Sequence, residues 1–585
     1  MNNLRKITIK PLSFVIIACF ALFGTTLFHS CDEDEFLDVQ PKGALAGEAL
    51  QTESGVEGLV VSAYAGLLQH FQDQQGMGLS FQYAATNWTY SDVRCDDIYK
   101  GGDGPGDQEE LHNLEVNVIS PNNSYLNKEW RAEYIAIKRT NVALQALKET
   151  PEEEFDKKEQ RIGEMLVLRS HFYFDLIRIF KRVPYIDETL PSDQYSEISN
   201  MEYTQEELWD LVESDLQDAL GKLSPSVKDD GRVNKYVAHA YLAKLYLYTG
   251  EYEKAEQQAE QIISSGEYSL YPDLQDMWEA ENDHSGQYLF AMETSINDGT
   301  TNGHINWSNL LNTPRGPAYN GDHFARPTQN LVNAFRTDSL GLPLLDSYNE
   351  ENFDEEDDYA DPRLDHFIGR LGVPWKNWSS EVYRDTSQWV YNESWLRNSV
   401  DYGTYSIKKL IVSRESEYMV SGWPGGGNAA NFPLVRYAEV LLWKAEALIE
   451  QNKNLDDART LINRVRLRAK NSPWVKTADG SEYAANYNIE PYPSDGWNQE
   501  YARKALRHER RIELCMEGHR FFDLVRWGEA ESVLNQYFDS EPRLSGVAGY
   551  MEGVTFVGDK HEYLPIPQPQ IDVSEGLYKQ IEEYK

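Results

Sequence analysis

At 585 residues the chain is long enough to bury a large core and to hold two to four domains. Its 95 acidic residues against 55 basic ones give a net charge of −40, which excludes nucleic acid as an expected partner and disfavours anionic lipid surfaces. Four cysteines are too few for a disulfide framework.

The chain opens with Arg5, Lys6 and Lys10, followed by an apolar run from Leu12 to Phe28 and then Ser30 and Cys31. This is the layout of a secretory signal, and a cysteine at its end points to lipoprotein processing with acylation of Cys31. Two or three acyl chains hold a protein to a bilayer firmly, where one holds it only marginally. An uncleaved signal anchor and simple secretion are the alternatives, because Phe28 and His29 depart from the usual residues before the cysteine. Residues 1–30 are thus read as a lipoprotein signal peptide. No later apolar run is long enough to span a bilayer, which predicts a soluble body after Cys31.

Residues 31–55 are acidic and then polar, with Gly and Pro, and read as a flexible tether able to reach about 80 Å when extended. Residues 56–275 carry a helical period: Trp130, Tyr134, Ile137, Asn141 and Leu144 share one face, as do Leu166, Tyr173, Leu176 and Ile179. Thr204 with Glu207 predicts a capping box at the start of a further helix. A hairpin follows, marked by Ala238, Leu242, Leu245, Tyr252, Ala255, Ala259 and Ile262 with a turn at Gly250. Each of these has an apolar counterpart 203 residues on: Leu441, Ala445, Leu448, Leu455, Ala458, Ile462 and Val465. Small residues at matched places are the mark of tetratricopeptide-type helical pairs.

Between residues 276 and 430 the period fades and Gly, Pro, Asn and Asp become dense, which predicts loops and short strands. Seven of the 14 Trp fall here: Trp278, Trp307, Trp375, Trp378, Trp389, Trp395 and Trp423. Helices resume in residues 431–585 and give way to an extended tail. The fold expected is mainly α, with helical hairpins as a scaffold around an irregular, loop-rich region. Cys95 and Cys515 are read as buried thiols, with a bond between them as the alternative.

Catalytic signatures are missing: there is no nucleotide-binding loop, no nucleophile elbow and no zinc motif. The run from Asp96-Asp97 through Asp103 to Asp107 offers oxygen ligands for Ca²⁺ but lacks EF-hand spacing, and reads rather as a mobile loop. No metal or cofactor is assigned.

One stretch carries a resemblance. His508-Glu509-Arg510-Arg511-Ile512-Glu513-Leu514, then Glu517-Gly518-His519-Arg520-Phe521-Phe522-Asp523-Leu524-Val525-Arg526-Trp527-Gly528, resembles the C-terminal signature of the SusD/RagB family of outer-membrane lipoproteins. Other pieces fall in the family's order: Phe36-Leu37-Asp38, Trp130 to Asn141, Leu168-Arg169 with Tyr173, Arg436 to Leu442, Asn463 to Ala469, and Pro565-Ile566-Pro567-Gln568. Lys181-Arg182 before Val183-Pro184 and the tail Lys579 to Tyr584 depart from its pattern. Within the signature, Arg510 with Glu513 and Asp523 with Arg526 are spaced to pair along a helix, and Phe522 and Trp527 read as packing residues.

The resemblance implies a cell-surface lipoprotein that is not an enzyme. It would capture glycan and act as the lid of a SusC-like TonB-dependent transporter, with peptide capture as the alternative and a surface hydrolase a remote third. It places the ligand face on the loop after the first helix and on the irregular insert. Onto these fall Asn87, Trp88, Tyr90 and Asp92, then Trp307 and Asn309, Arg315, Tyr319 and Asn320, and Trp375, Trp378 and Trp423. A sugar ring stacks its C–H face on an aromatic plane while its hydroxyls meet Asp, Asn and Arg, so these residue types suit that ligand. Asp32-Glu33-Asp34-Glu35 after Cys31 resembles the acidic export mark of such surface lipoproteins.

Overall fold

A succession of long helices, each packed on the next, forms the body of the protein. The computed structural model describes residues 52–585 except 73, 75, 152, 154, 301–302, 317–318, 377–384, 421 and 423–424. The signal, Cys31, most of the tether, Trp378 and Trp423 therefore lie outside the described residues. Residues Val56–Lys585 form a single unit. Sixteen α-helices among the described residues make the chain about 47% helical, and none of them is long and apolar enough to cross a membrane.

After α1 (Glu53–Tyr64) come α2 (Ser124–Glu149) and α3 (Lys158–Phe180). Asn123 caps α2 by accepting from the Tyr125 N–H, and α3 is buried at every residue from Arg161 to Phe180. The next helix, α4 (Gln205–Lys222), opens on the expected capping box: Glu207 N–H donates to Thr204 Oγ1 and Thr204 N–H to Glu207 Oε2. A first hairpin, α5 (Lys235–Tyr248) and α6 (Tyr252–Ser265), is matched by α7 (Tyr437–Glu450) and α8 (Leu455–Asn471). Gly250 takes the left-handed turn of the first pair, and Asn452 and Asn454 do so in the second.

Each helix packs on the next, from α2 through α6, and α6 then packs directly on α7. The two hairpins are therefore neighbours in one stack although the insert separates them in sequence. Of the fourteen matched positions, twelve are buried to within 1% exposure; Tyr252 and Leu455, which open the second helix of each pair, are only partly buried. Small Ala side chains at the matched places let the helices approach closely, as the repeat requires. α9 (Gln499–Leu514) closes the stack against α7 and α8, and α10 (Arg520–Arg526) and α11 (Ala530–Ser545) follow.

The insert leaves and returns through one antiparallel ribbon. Strand β2 (Tyr288–Met292) pairs with β8 (Phe432–Arg436), setting Tyr288 opposite Arg436 and Met292 opposite Phe432. A second ribbon, β1 (Ile98–Gly101) with β3 (Phe324–Pro327), ties the segment after α1 to the insert. The remaining strands are only two residues long, so backbone ladders hold little of this region together. Aromatic packing does that instead. Trp375 lies 5.3 Å from Trp395 and 5.6 Å from Tyr391, and its N–H donates to the Tyr319 hydroxyl at 3.0 Å. Gly316 presses on the Trp395 ring so closely that a Cβ there would sit 2.2 Å from it.

The signature helix α9 anchors a buried ion network rather than a surface one. Glu513 is fully buried and meets Arg363, Arg436 and Arg468; Glu517 meets Arg436 and Lys409; Glu509 meets Arg363 and Arg466. The expected Asp523–Arg526 pair forms at 2.8 Å. The Arg510–Glu513 pair does not, because Arg510 turns to Asp523 and Glu513 faces three cations from the insert, β8 and α8. Burial opposes ionisation of Glu513, but those three guanidiniums outweigh it and hold its carboxyl far below the usual carboxylate range. Phe522 is buried beneath Arg178, whereas Trp527 is half-buried and donates its N–H to Glu446. Cys95 and Cys515 are both free and buried.

Candidate ligand-binding site

The loop from Ala84 to Asp97 reaches its position because the signature segment holds it from below. Gly518, in the left-handed region at φ +78°, comes so close that a Cβ there would lie 2.4 Å from the Thr86 carbonyl. Its N–H donates to both carboxylate oxygens of Asp92, the Phe521 N–H donates to Ser91, and Arg520 grips Asp96. Burial pushes the Asp92 carboxyl well above its usual range, against the Gly518 N–H and with help from Asp97 and Glu517. Asp96 and Asp97 are buried and held by Arg511 and, for Asp96, Arg520. Together with Cys95 their donor atoms lie close enough to face one ion. Both carboxylates are already committed to guanidiniums, so this acidic run is a structural ion cluster.

The two segments singled out for ligand contact meet each other. Trp88 Nε1 donates to the Ser308 carbonyl at 2.7 Å, and Thr86 Oγ1 donates to Asn309 Oδ1 at 2.9 Å, across 220 and 223 residues of sequence. Neither Thr86 nor Ser308 stands out in the sequence, and only the folded chain shows that they make the joint. Asn87 adopts φ +57° and donates to Asp175 on α3. Around this joint the buried oxygens Asn87 Oδ1, Thr89 Oγ1, Ser308 Oγ and Asn312 Oδ1 have no hydrogen-bond partner among the described residues.

Most of the aromatic residues expected to offer ring faces are buried instead. Trp88 is 2% exposed, Trp307 5% and Trp375 0%. Trp88 packs edge-on against Phe324, Trp307 is covered by the His70 ring stacked at 5.4 Å, and Trp375 lies inside the aromatic cluster. Tyr90 is buried and donates to the Gln82 and Tyr125 carbonyls; Tyr319 is buried and donates to the Val412 carbonyl. The physical reason is the scarcity of regular structure in the insert: large rings fill a core that ladders and helix faces do not. Trp278, Trp389 and Trp395 are buried there too. The polar members of the set fare differently. Arg315 and Asn320 are exposed and Asn309 is half-buried. Asn320 takes φ +49°, and the Arg315 backbone N–H donates to the Trp395 carbonyl. Beneath them the Thr313 hydroxyl bonds the Gly425 carbonyl, which joins this loop to the segment before β8.

A stack of helical hairpins bearing one large loop-rich insert, with a polar loop surface held over a buried aromatic core, defines a scaffold-borne binding protein. The model of the SusD family matches residues 288–584, and a second, described as starch-binding and associating with the outer membrane, matches residues 35–247. The chain belongs to the SusD family. It is similar to SusD-like protein P2 of Formosa agariphila, with 26% identity over 80% of this chain and 81% of that one. Among solved structures, a SusD-like carbohydrate binding protein from Bacteroides fragilis matches with a TM-score of 0.68 at 20% identity, over 90% of this chain and 98% of that one. Surface glycan-binding protein A from Bacteroides thetaiotaomicron, solved in complex with laminarihexaose, matches with a TM-score of 0.64 at 21% identity, over 90% and 99%.

Proposed function

We propose that the chain captures glycan at the cell surface and passes it to a SusC-like TonB-dependent transporter, for which it serves as a lid. Acylated Cys31 would hold it to the outer membrane, and residues 31–55 would let the body swing while attached. It would bind without catalysing. Family membership and the carbohydrate ligands named for its relatives support this reading. The observation that carries it is the joint between the 84–97 loop and the insert, which sets a polar surface on a rigid base. A preformed site of this kind loses little entropy on binding.

Direct contact is assigned to Arg315, Asn320 and Asn309, with Trp378 and Trp423 as the rings that would stack on sugar. Asn87, Trp88, Tyr90, Asp92, Trp307, Tyr319 and Trp375 would act from underneath, by fixing the loops. Affinity gel electrophoresis against a panel of polysaccharides tests this. In a gel holding the polysaccharide that retards the parent chain, Arg315→Ala/Asn320→Ala and Trp378→Ala/Trp423→Ala should each migrate with little retardation. Undiminished retardation in both double variants would place the site elsewhere.

A further inference from the structure

A second groove lies on the helical scaffold and shares no lining residue with that loop surface. It has a volume of about 430 Å³ and is built by four stretches distant in sequence: Gln74 after α1, one face of α2, the segment after α3, and the C-terminal tail. Its floor is aromatic. Trp130 is buried, with Tyr134 at 5.3 Å and Tyr578 at 5.9 Å from it, and Tyr195 and Ile186 also line the groove. Tyr134, Tyr195 and Tyr578 are each half-buried, so part of each ring remains open. The Tyr134 hydroxyl is committed to the Pro184 carbonyl. By contrast, no hydrogen bond is made by the Tyr195 or Tyr578 hydroxyl, and no ion pair by the exposed Lys138 ammonium, among the described residues.

The charge of this groove runs against that of the protein. Among the described residues no carboxylate lines it, whereas Arg131 and Lys138 both do. Half-open tyrosine faces match the C–H faces of sugar rings, the unused hydroxyls match sugar hydroxyls, and the Lys138 ammonium matches a carboxylate or sulfate. We propose that this groove is a second saccharide site, selective for short acidic oligosaccharides bearing uronate or sulfate groups. It takes from the preceding reading only that saccharides are the ligands of this chain, and it does not use the loop surface.

Calorimetry of the purified chain with galacturonate hexasaccharide and a heparin-derived hexasaccharide, and with a neutral glucose hexasaccharide as control, tests the site. An acidic probe should bind, and several-fold more weakly when salt is raised from 50 to 500 mM. Lys138→Glu and Tyr195→Ala should each weaken it at least tenfold with an unchanged thermal midpoint, while Arg315→Ala/Asn320→Ala leaves it intact. Binding lost in the loop-surface variant but kept in both groove variants would overturn the proposal, as would absence of acidic-probe binding by a chain that retains a neutral polysaccharide. In both cases the loop-surface reading would survive. Failure of every saccharide, acidic or neutral, would remove both readings, and peptide retention abolished by Lys138→Glu without saccharide binding would reassign the groove.

Discussion

Replacing Trp88 by Ala separates two accounts of the loop after α1. If the indole is a ligand platform, its loss should cost binding and leave stability alone; its burial makes the opposite expectation. The side chain is 2% exposed, packed against Phe324, and donates its only hydrogen bond to the Ser308 carbonyl. Large-to-small changes of this kind cost about 3–5 kcal/mol, and a buried carbonyl left unpaired adds roughly 1 kcal/mol. For the unit spanning Val56–Lys585, a melting entropy of roughly 1.1 kcal/mol/K follows from ~2.1 cal/mol/K per residue. The midpoint should therefore fall by about 4 °C in differential scanning calorimetry. Polysaccharide affinity, measured well below the midpoint, should fall only as far as the Ser308–Asn309 loop shifts. An unchanged midpoint with abolished binding would refute the packing account and return Trp88 to the ligand surface.

Two further outcomes follow from the buried charges. Glu513→Gln leaves Arg363, Arg436 and Arg468 facing one another without their shared anion. Breaking buried pairs of this sort costs about 3–5 kcal/mol, measurable by urea unfolding, and a loss below about 1 kcal/mol would contradict the assigned network. Because the Glu513 carboxyl is held below its usual range, its contribution is present at neutral pH and is lost as pH falls. Glu129 and Glu133 on α2 behave in the opposite sense. Burial, with Asp175 for Glu129 and with Glu129 for Glu133, pushes both carboxyls well above the usual range, although Arg178, Tyr90 and Gln69 work against it. The folded chain keeps protons that the unfolded chain releases, so stability is full below about pH 4 and declines as pH rises, by ~1.4 kcal/mol for each pH unit over which only the folded state holds the proton. Glu129→Gln should flatten that decline as pH rises above about 4 and raise the midpoint at neutral pH; an equal slope in variant and parent would overturn the assignment.

Much of the scaffold is legible in the sequence because it obeys local rules. The capping box at Thr204, the turn at Gly250 and the 203-residue repeat each rest on contacts within a few residues, where spacing alone fixes which face is buried. The ion partners of α9 are not legible, since Arg363, Arg436 and Arg468 reach Glu513 from separate elements and nothing in the local spacing marks them. The site is legible only in outline. That the 87–92 and 304–309 segments would serve one surface is apparent from their place in a family pattern, and they do touch. Whether a Trp shows its face or hides it depends on what surrounds it. In the insert, strands of two residues leave the rings to build the core, and composition cannot distinguish that from a binding platform.

The β2–β8 ribbon has a consequence for how such a protein can change. Because Met292 and Phe432 are paired, the 139 residues between them begin and end at adjacent points. The closure entropy of a segment anchored in this way rises only slowly with its length. The helical stack meets a two-stranded stub whose geometry does not depend on how long the excursion is. A lineage could lengthen, shorten or exchange the excursion, and with it the surface proposed to meet ligand, while α6 still packs on α7. Specificity and scaffold are thereby free to evolve at different rates within one chain.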